Sequence, residues 1–167
     1  VDVPEYLTCI REGNLDGAAA ILMESNPIPA ITSRVCTHFC QMNCKRAEFD
    51  EHVNIGGMER YVGDYILDNA DRFMKAPEAE SGKKAAIVGS GPAGLTAAYY
   101  LRRLGHQVLV YDKMEEAGGL LRYAIPEYRL PKDIVRKLIA ALEAMGIQFK
   151  TGTEIGKDIP VSDLVEQ

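Results

Sequence analysis

The chain has no tryptophan, no internal repeat, no cluster of basic residues and no apolar run near the ~20 residues that a membrane helix needs. Each absence narrows its possible roles. Without a long apolar run, no membrane partner is expected. The 19 basic residues are outnumbered by 24 acidic ones, and the net charge is −5, so no nucleic-acid partner is expected either. The start, Val1-Asp2-Val3-Pro4-Glu5, lacks an initiator methionine and the charged-then-apolar layout of a secretion signal. The expectation is a fragment or processed product, in the cytoplasm. None of the three histidines stands out as a general acid or base; His52 and His106 read as loop and turn residues.

What is present divides the chain in two. A polar, proline- and glycine-bearing stretch near residues 75–84 has linker composition. It predicts an all-α region over 1–76, a linker over 77–84 and a Rossmann-like α/β region over 85–167. In the first region Tyr6, Leu7 and Ile10 suggest a short helix. Asp16 precedes a second, from Gly17 to Met23, which Asn26-Pro27-Ile28-Pro29 must break. A third is predicted over 57–74, with Met58, Tyr61, Val62, Tyr65 and Ile66 along one face. After the linker, strands at 85–88, 107–111 and 147–150 alternate with helices at 92–104 and 133–145. That order implies a parallel sheet. Residues 153–167 show no completed element.

Gly89-Ser90-Gly91-Pro92-Ala93-Gly94 is a G-x-G-x-x-G. Alone it is as compatible with an ordinary turn, but here it joins a predicted strand to a predicted helix. Gly89 permits the tight turn, Gly91 leaves room for a pyrophosphate, and Gly94 lets helix and strand pack closely. Free N–H groups at the helix start then favour phosphate charge. Asp112, at the end of the second strand, is expected to accept both ribose hydroxyls of an adenosine half. Gly118-Gly119 follow, then Leu120. A second glycine pair suits the extended path of FAD, although an ordinary loop would also carry one.

Cys36, Cys40 and Cys44 are spaced by four; Cys9 stands apart in a helix and reads as a buried thiol. If the segment is helical, that spacing puts three sulfurs on one face, with His38 turned away. Clustered soft thiolates suit iron–sulfur or zinc chemistry, and buried free thiols remain an alternative.

Several stretches resemble the NADPH-dependent glutamate synthase small (beta) subunit family and the N-terminal half of dihydropyrimidine dehydrogenase. They are Asn26-Pro27-Ile28-Pro29, Arg34-Val35-Cys36, Asn54-Ile55-Gly56-Gly57-Met58-Glu59-Arg60, the 89–94 fingerprint and the run from Gly118 through Tyr128-Arg129-Leu130-Pro131-Lys132. The resemblance covers nearly the whole chain. It implies a flavin that takes hydride from NADPH and hands single electrons to two [4Fe–4S] clusters, then to a large catalytic subunit or domain. It implies FAD contacts from Gly89, Ser90, Gly91, Pro92, Ala93, Gly94, Asp112 (in place of a glutamate), Lys113, Gly119, Leu120, Arg129 and Ile155. Cys36 and Cys40 would ligate one cluster, with Glu59 where relatives place an oxygen ligand, and Cys44 would ligate the other. Relatives of this kind carry a further cysteine block upstream and a second glycine-rich motif, for NADPH, downstream. The expectation is therefore an N-terminal piece of an electron-input enzyme. The rival reading is a non-catalytic scaffold module that docks on a partner.

Overall fold

The computed structural model describes residues 1–165 and divides the chain into two units, Val1–Phe73 and Met74–Gln167. The first unit is all helical. Helix α1 (Val3–Arg11) opens on Asp2, whose side chain accepts from the Glu5 amide at 3.0 Å, with Pro4 in the first turn. Cys9 lies on it half-buried, not buried as expected. Gly13, at φ +75°, turns the chain into α2 (Leu15–Ser25). Asn14 caps α2 by accepting from the Gly17 amide at 2.9 Å. Asp16, the expected start, sits inside the first turn and accepts from the Tyr65 hydroxyl at 2.7 Å.

Asn26-Pro27-Ile28-Pro29 ends α2 as expected. Pro29 then begins α3 (Pro29–Val35), which the sequence reading did not contain. Its ring fixes φ at a position whose N–H needs no helical partner. The cysteine block is not one helix. Cys36 is extended, His38 takes a left-handed φ of 55°, α4 (Phe39–Met42) is a single turn, and Cys44 is extended before a 3₁₀ turn at Lys45–Glu48. Local side-chain bonds compete with helix continuation. The His38 amide donates to Cys36 Sγ at 3.3 Å, and Asn43 Nδ2 donates to the Phe39 carbonyl at 2.8 Å. Three sulfurs therefore do not share a helix face.

Helix α5 (Ile55–Asp68) is capped by Asn54 and stops at Asn69, whose Nδ2 donates to the Tyr65 carbonyl at 2.9 Å; α6 (Ala70–Phe73) follows. The expected continuous helix over 57–74 is thus two. Of the expected apolar face, Val62 and Ile66 are buried, whereas Met58 and Tyr61 are exposed. The buried stripe is Ile55, Val62, Gly63 and Ile66. Gly63 belongs to it because α3 passes so close: a Cβ there would lie 2.5 Å from the Ala30 amide nitrogen and 2.7 Å from the Pro29 carbonyl carbon.

Arg34 fastens this contact. Its guanidinium, 6 % exposed, makes a two-pronged bond to Asp64 at 2.7 and 2.9 Å and donates to the Ala30 carbonyl at 2.7 Å. Asp64→Ala is expected to destabilise the first unit by about 1–2 kcal/mol, less than the ~3–5 of a fully buried pair because Asp64 is 38 % exposed and solvent screens it. Urea unfolding checks this. An apolar pair, Arg34→Leu with Asp64→Leu, should recover most of the loss.

The second unit begins with a stretch that is held in place. The Ser81 amide donates to the Gly105 carbonyl at 2.8 Å, Ser81 Oγ meets His106 Nδ1 at 2.6 Å, and Glu80 takes both guanidinium ends of buried Arg102 at 2.8 and 2.6 Å. His106, read as a turn residue, is therefore partnered, and residues 80–83 are not free linker. Within 74–84, trypsin should cut after exposed Lys75 well before Lys83 or Lys84. Mass spectrometry of early fragments reads the order, and a first cut at Lys83 or Lys84 would contradict it.

Strand β1 (Lys84–Val88), helix α7 (Pro92–Arg103) and strand β2 (Gln107–Tyr111) follow. Then come α8 (Leu120–Tyr123), α9 (Lys132–Ala144) and β3 (Gln148–Lys150). Among the described residues the sheet has three parallel strands in the order β1-β2-β3, with Ala85 opposite Val108 and Val110 opposite Phe149. Leu95, Ala98 and Tyr99 of α7, Val108 and Val110 of β2, and Val135, Leu138 and Leu142 of α9 are buried. The tail is more ordered than expected: Ile155 and Ile159 form an isolated bridge and α10 (Val161–Val165) follows. No helix of the described residues is long and apolar enough to cross a membrane.

Candidate functional site: the glycine cradle and the cysteine loop

The turn from β1 into α7 is built by its glycines. Gly89 takes φ +98°, a conformation disfavoured for residues with a Cβ. Gly94 lies so near the turn that a Cβ would sit 1.9 Å from the Gly89 carbonyl oxygen. Gly91 caps α7, and a Cβ there would meet nothing within 4 Å. The first bond of the α7 ladder runs from the Leu95 amide to the Gly91 carbonyl at 2.9 Å. The amides of Ala93 and Gly94 precede the ladder and are the orphan donors of the helix start.

A cleft of about 650 Å³ opens on this turn. Its lining brings together Gly89, Gly91, Pro92, Ala93, Gly94, Asp112, Lys113, Gly119, Leu120 and Ile155 of the expected set. Tyr123, from the run that begins at Gly118, joins them, as do Tyr111, Met114, Thr153 and Glu154, which no sequence motif pointed to. Arg129 does not line the cleft; its amide closes a turn onto the Pro126 carbonyl at 3.0 Å. Ser90 is wholly buried beneath it. Open space at Gly91, orphan amides and a lysine at the rim suit a pyrophosphate, so these residues fit the adenosine half of a dinucleotide.

Two expectations change in detail. Asp112 is 8 % exposed and already engaged: Oδ2 accepts from the Ser90 amide at 2.7 Å and from the Ser90 hydroxyl, and Oδ1 accepts from the Met114 amide at 2.9 Å. Burial would raise this carboxyl, but the bonds from Ser90 and Met114 and the charge of Lys113 outweigh it and hold it below the usual carboxylate range. The second glycine pair, for its part, serves the protein's own packing. A Cβ on Gly119, at φ +51°, would lie 2.9 Å from Gly91 Cα. Gly118 donates its amide to Ser90 Oγ at 2.9 Å.

In the first unit Cys36 and Cys40 are exposed, Cys44 is half-buried, and none forms a disulfide. Backbone amides of Val53, then Arg46, lower the Cys44 thiol below its ordinary value despite some burial. Tyr6 is wholly buried in the same unit. Its buried hydroxyl donates to the Ile55 carbonyl at 3.3 Å, and burial, then the charges of Glu59 and Cys40, push it upward. Glu59 is the fifth residue of α5, beyond the first turn where the helix dipole would favour it. Its Oε1 accepts instead from Asn26 at 3.0 Å and Thr32 at 3.1 Å. His38, whose expected orientation required a helix that the segment does not form, lies with its ring against Gly56 and its Nε2 buried and unpartnered. Among the described residues no three His, Cys, Asp or Glu side chains converge as a metal site. The thiols are the right donors for a cluster, but they do not by themselves assemble one.

Comparison with known proteins bears on both units. Residues 1–71 match the family described as dihydropyrimidine dehydrogenase domain II, 4Fe-4S cluster. Residues 87–135 match the NAD(P)-binding Rossmann-like domain. The glutamate synthase [NADPH] small chain of Bacillus subtilis is 41 % identical over 99 % of this chain and 34 % of its own length. The NADP(+)-dependent formate dehydrogenase subunit beta of Moorella thermoacetica is 35 % identical over 98 % of this chain and 26 % of its own. The NADPH-Fe(3+) oxidoreductase subunit beta of Geobacter sulfurreducens is 36 % identical over 100 % and 25 %. The chain thus spans between a quarter and about a third of the length of these relatives. The resemblance read from the motifs is borne out, as is the α/β class with a helical iron–sulfur-type unit before a Rossmann-like one.

Proposed function

We propose that this chain, a homologue of the NADPH-dependent glutamate synthase small chains and of related NADPH oxidoreductase beta subunits, forms the electron-input module of a flavin and iron–sulfur oxidoreductase. The observation that carries the reading is the glycine cradle joining β1 to α7, in a chain whose other unit matches a 4Fe-4S family. FAD is the proposed occupant, NADPH the electron source, and a large catalytic subunit or domain the acceptor. Bound flavin would supply the exchange of a hydride's electron pair for single electrons, and clusters their relay. The chain's own part is placement. The α7 N-terminus and the Gly91 gap receive the pyrophosphate, Asp112 takes ribose, and Leu120, Tyr123 and Ile155 wall the cleft. Arg129 lies outside the cleft lining but on the same unit, and its proposed flavin contact rests on the motif alone. Cys36, Cys40 and Cys44 are the proposed cluster ligands, with Glu59 assigned to the same cluster as the first two and the remaining ligands supplied from outside residues 1–167. The cytoplasm is the proposed compartment, because thiols clustered this closely persist for metal chemistry in a reducing setting.

The test is cofactor content of the purified full-length protein. It should be yellow-brown, release FAD on acid treatment, and bleach with NADPH. Cys36→Ser or Cys40→Ser should each remove about one cluster's iron while the FAD content holds, and Glu59→Ala should shift the redox potential of that same cluster. A colourless protein with neither flavin nor iron would instead support the scaffold reading.

A further inference from the structure

We infer that Ser90 is the positioning residue of the cradle, committing Asp112 to the glycine turn so that this carboxylate has one acceptor site left for a ribose hydroxyl, and not two. The inference rests on the dinucleotide reading proposed above. Ser90 is wholly buried and does not line the cleft, so it touches no ligand there. Its hydroxyl nevertheless joins three segments. It accepts from the Gly118 amide at 2.9 Å and donates to Asp112 Oδ2, the same oxygen that takes the Ser90 amide at 2.7 Å. The direction of donation is consistent along the chain of bonds, since the single hydroxyl proton goes to the carboxylate and a lone pair is left for Gly118.

An ionised carboxylate offers about four acceptor sites. Ser90 fills both on Oδ2, and the Met114 amide fills one on Oδ1. The one site left is on Oδ1, at the cleft that Asp112 lines. Removing the Ser90 hydroxyl would leave the buried Gly118 amide without an acceptor and Asp112 with only its two backbone bonds. The glycine turn, the end of β2 and the 118–119 loop would then lose their shared tie.

Two sets of measurements on the full-length protein test this. In the first, flavin-free protein binds adenosine diphosphate and its 2′-deoxy and 3′-deoxy analogues. One analogue alone should bind more weakly, by about tenfold for one lost bond to a charged group, and the difference should vanish in Asp112→Ala. Equal losses for both analogues would mean that Asp112 holds both hydroxyls, and would overturn the inference. The second set compares Ser90→Ala with wild type. FAD affinity should fall about tenfold, and hydrogen exchange over residues 116–121 of the ligand-free protein should speed at least tenfold. The pH at which FAD binding is lost on acidification should move upward, because Asp112 then protonates more readily. Lys113, the charged neighbour acting on Asp112, is present in both proteins.

Ser90→Thr, which keeps the hydroxyl, should restore the exchange rate and the pH midpoint. In the Asp112→Ala background Ser90→Ala should cost less than twofold in affinity. Should Ser90→Ala fail to fold, Ser90→Cys keeps the volume and weakens both bonds of the hydroxyl, with a rise in exchange in the same direction expected. Unchanged exchange and an unchanged pH midpoint in Ser90→Ala would reduce Ser90 to core filling, whatever its affinity. Wild-type protein that binds neither FAD nor adenosine diphosphate, with exchange still responding to Ser90→Ala, would overturn the dinucleotide reading and leave a purely structural bridge.

Discussion

Gly91→Val should produce a folded protein that carries no flavin. The backbone at Gly91 is extended, with φ −69° and ψ −179°, so a residue with a Cβ meets no conformational penalty there. Nothing lies within 4 Å of the position its Cβ would take. The apo fold should therefore tolerate the change, with thermal stability within about 0.5 kcal/mol of wild type, the range of substitutions that disturb no packed neighbour. The space a valine fills is the space proposed for the pyrophosphate, at the amides of Ala93 and Gly94. FAD measured after purification should fall from near one per chain to a few per cent, while iron content stays. Equal FAD in both proteins would remove the cradle from the flavin site.

Gly94→Ala should do the opposite and damage the fold itself, although it adds two carbons fewer, and to a helix that alanine suits better. A Cβ at Gly94 would lie 1.9 Å from the Gly89 carbonyl oxygen and 3.0 Å from its carbonyl carbon. Both are backbone atoms of the turn, so no side chain can rotate away. The cost lies at or above the ~1–3 kcal/mol of an extra methyl in a packed core, and alanine returns only about 1 kcal/mol over glycine as a helix former. A net loss of about 3 kcal/mol is expected, read as a fall of more than 10 °C in the melting temperature of the second unit, since about 4–8 °C accompanies each kcal/mol in a domain of this size. A Gly94→Ala protein as stable as wild type would show that α7 and the turn are not packed at this distance. The pair tests the two roles the motif gives these glycines: one keeps space for a ligand, the other for the protein's own backbone.

The second unit was legible almost element by element. Short apolar runs, a glycine-rich turn and a helical stripe at Leu138, Leu142 and Met145 are local signals, and each spans enough residues to be unambiguous. The first unit was harder, because its helices are short and their boundaries depend on single caps. Asn14 took the role expected of Asp16. The α3 helix is not legible in the sequence because two prolines read as a break, although the second is a good first residue for a helix. The face of α5 was misjudged at Met58 and Tyr61, since periodicity alone does not reveal that Gly63 marks the side pressed against α3.

The amino-acid sequence by itself determined the class of fold, the place of the dinucleotide turn, the residue types at the cysteine loop and the likeness to NADPH-linked oxidoreductase subunits. All of these follow from spacing within a few residues or from motifs read as units. Only the tertiary structure decided which partners those residues take. It set Ser90 under the cleft as the tie between Asp112 and Gly118, pressed Gly119 onto Gly91, bonded Glu59 to Asn26 and Thr32, and fixed residues 80–83 to Arg102 and Gly105. The physical reason is that a carboxylate, a hydroxyl or a missing Cβ has the same local character wherever it occurs. Its role is set by what the fold brings within about 3 Å, the reach of a hydrogen bond or a packed backbone, and those neighbours lie many residues away along the chain.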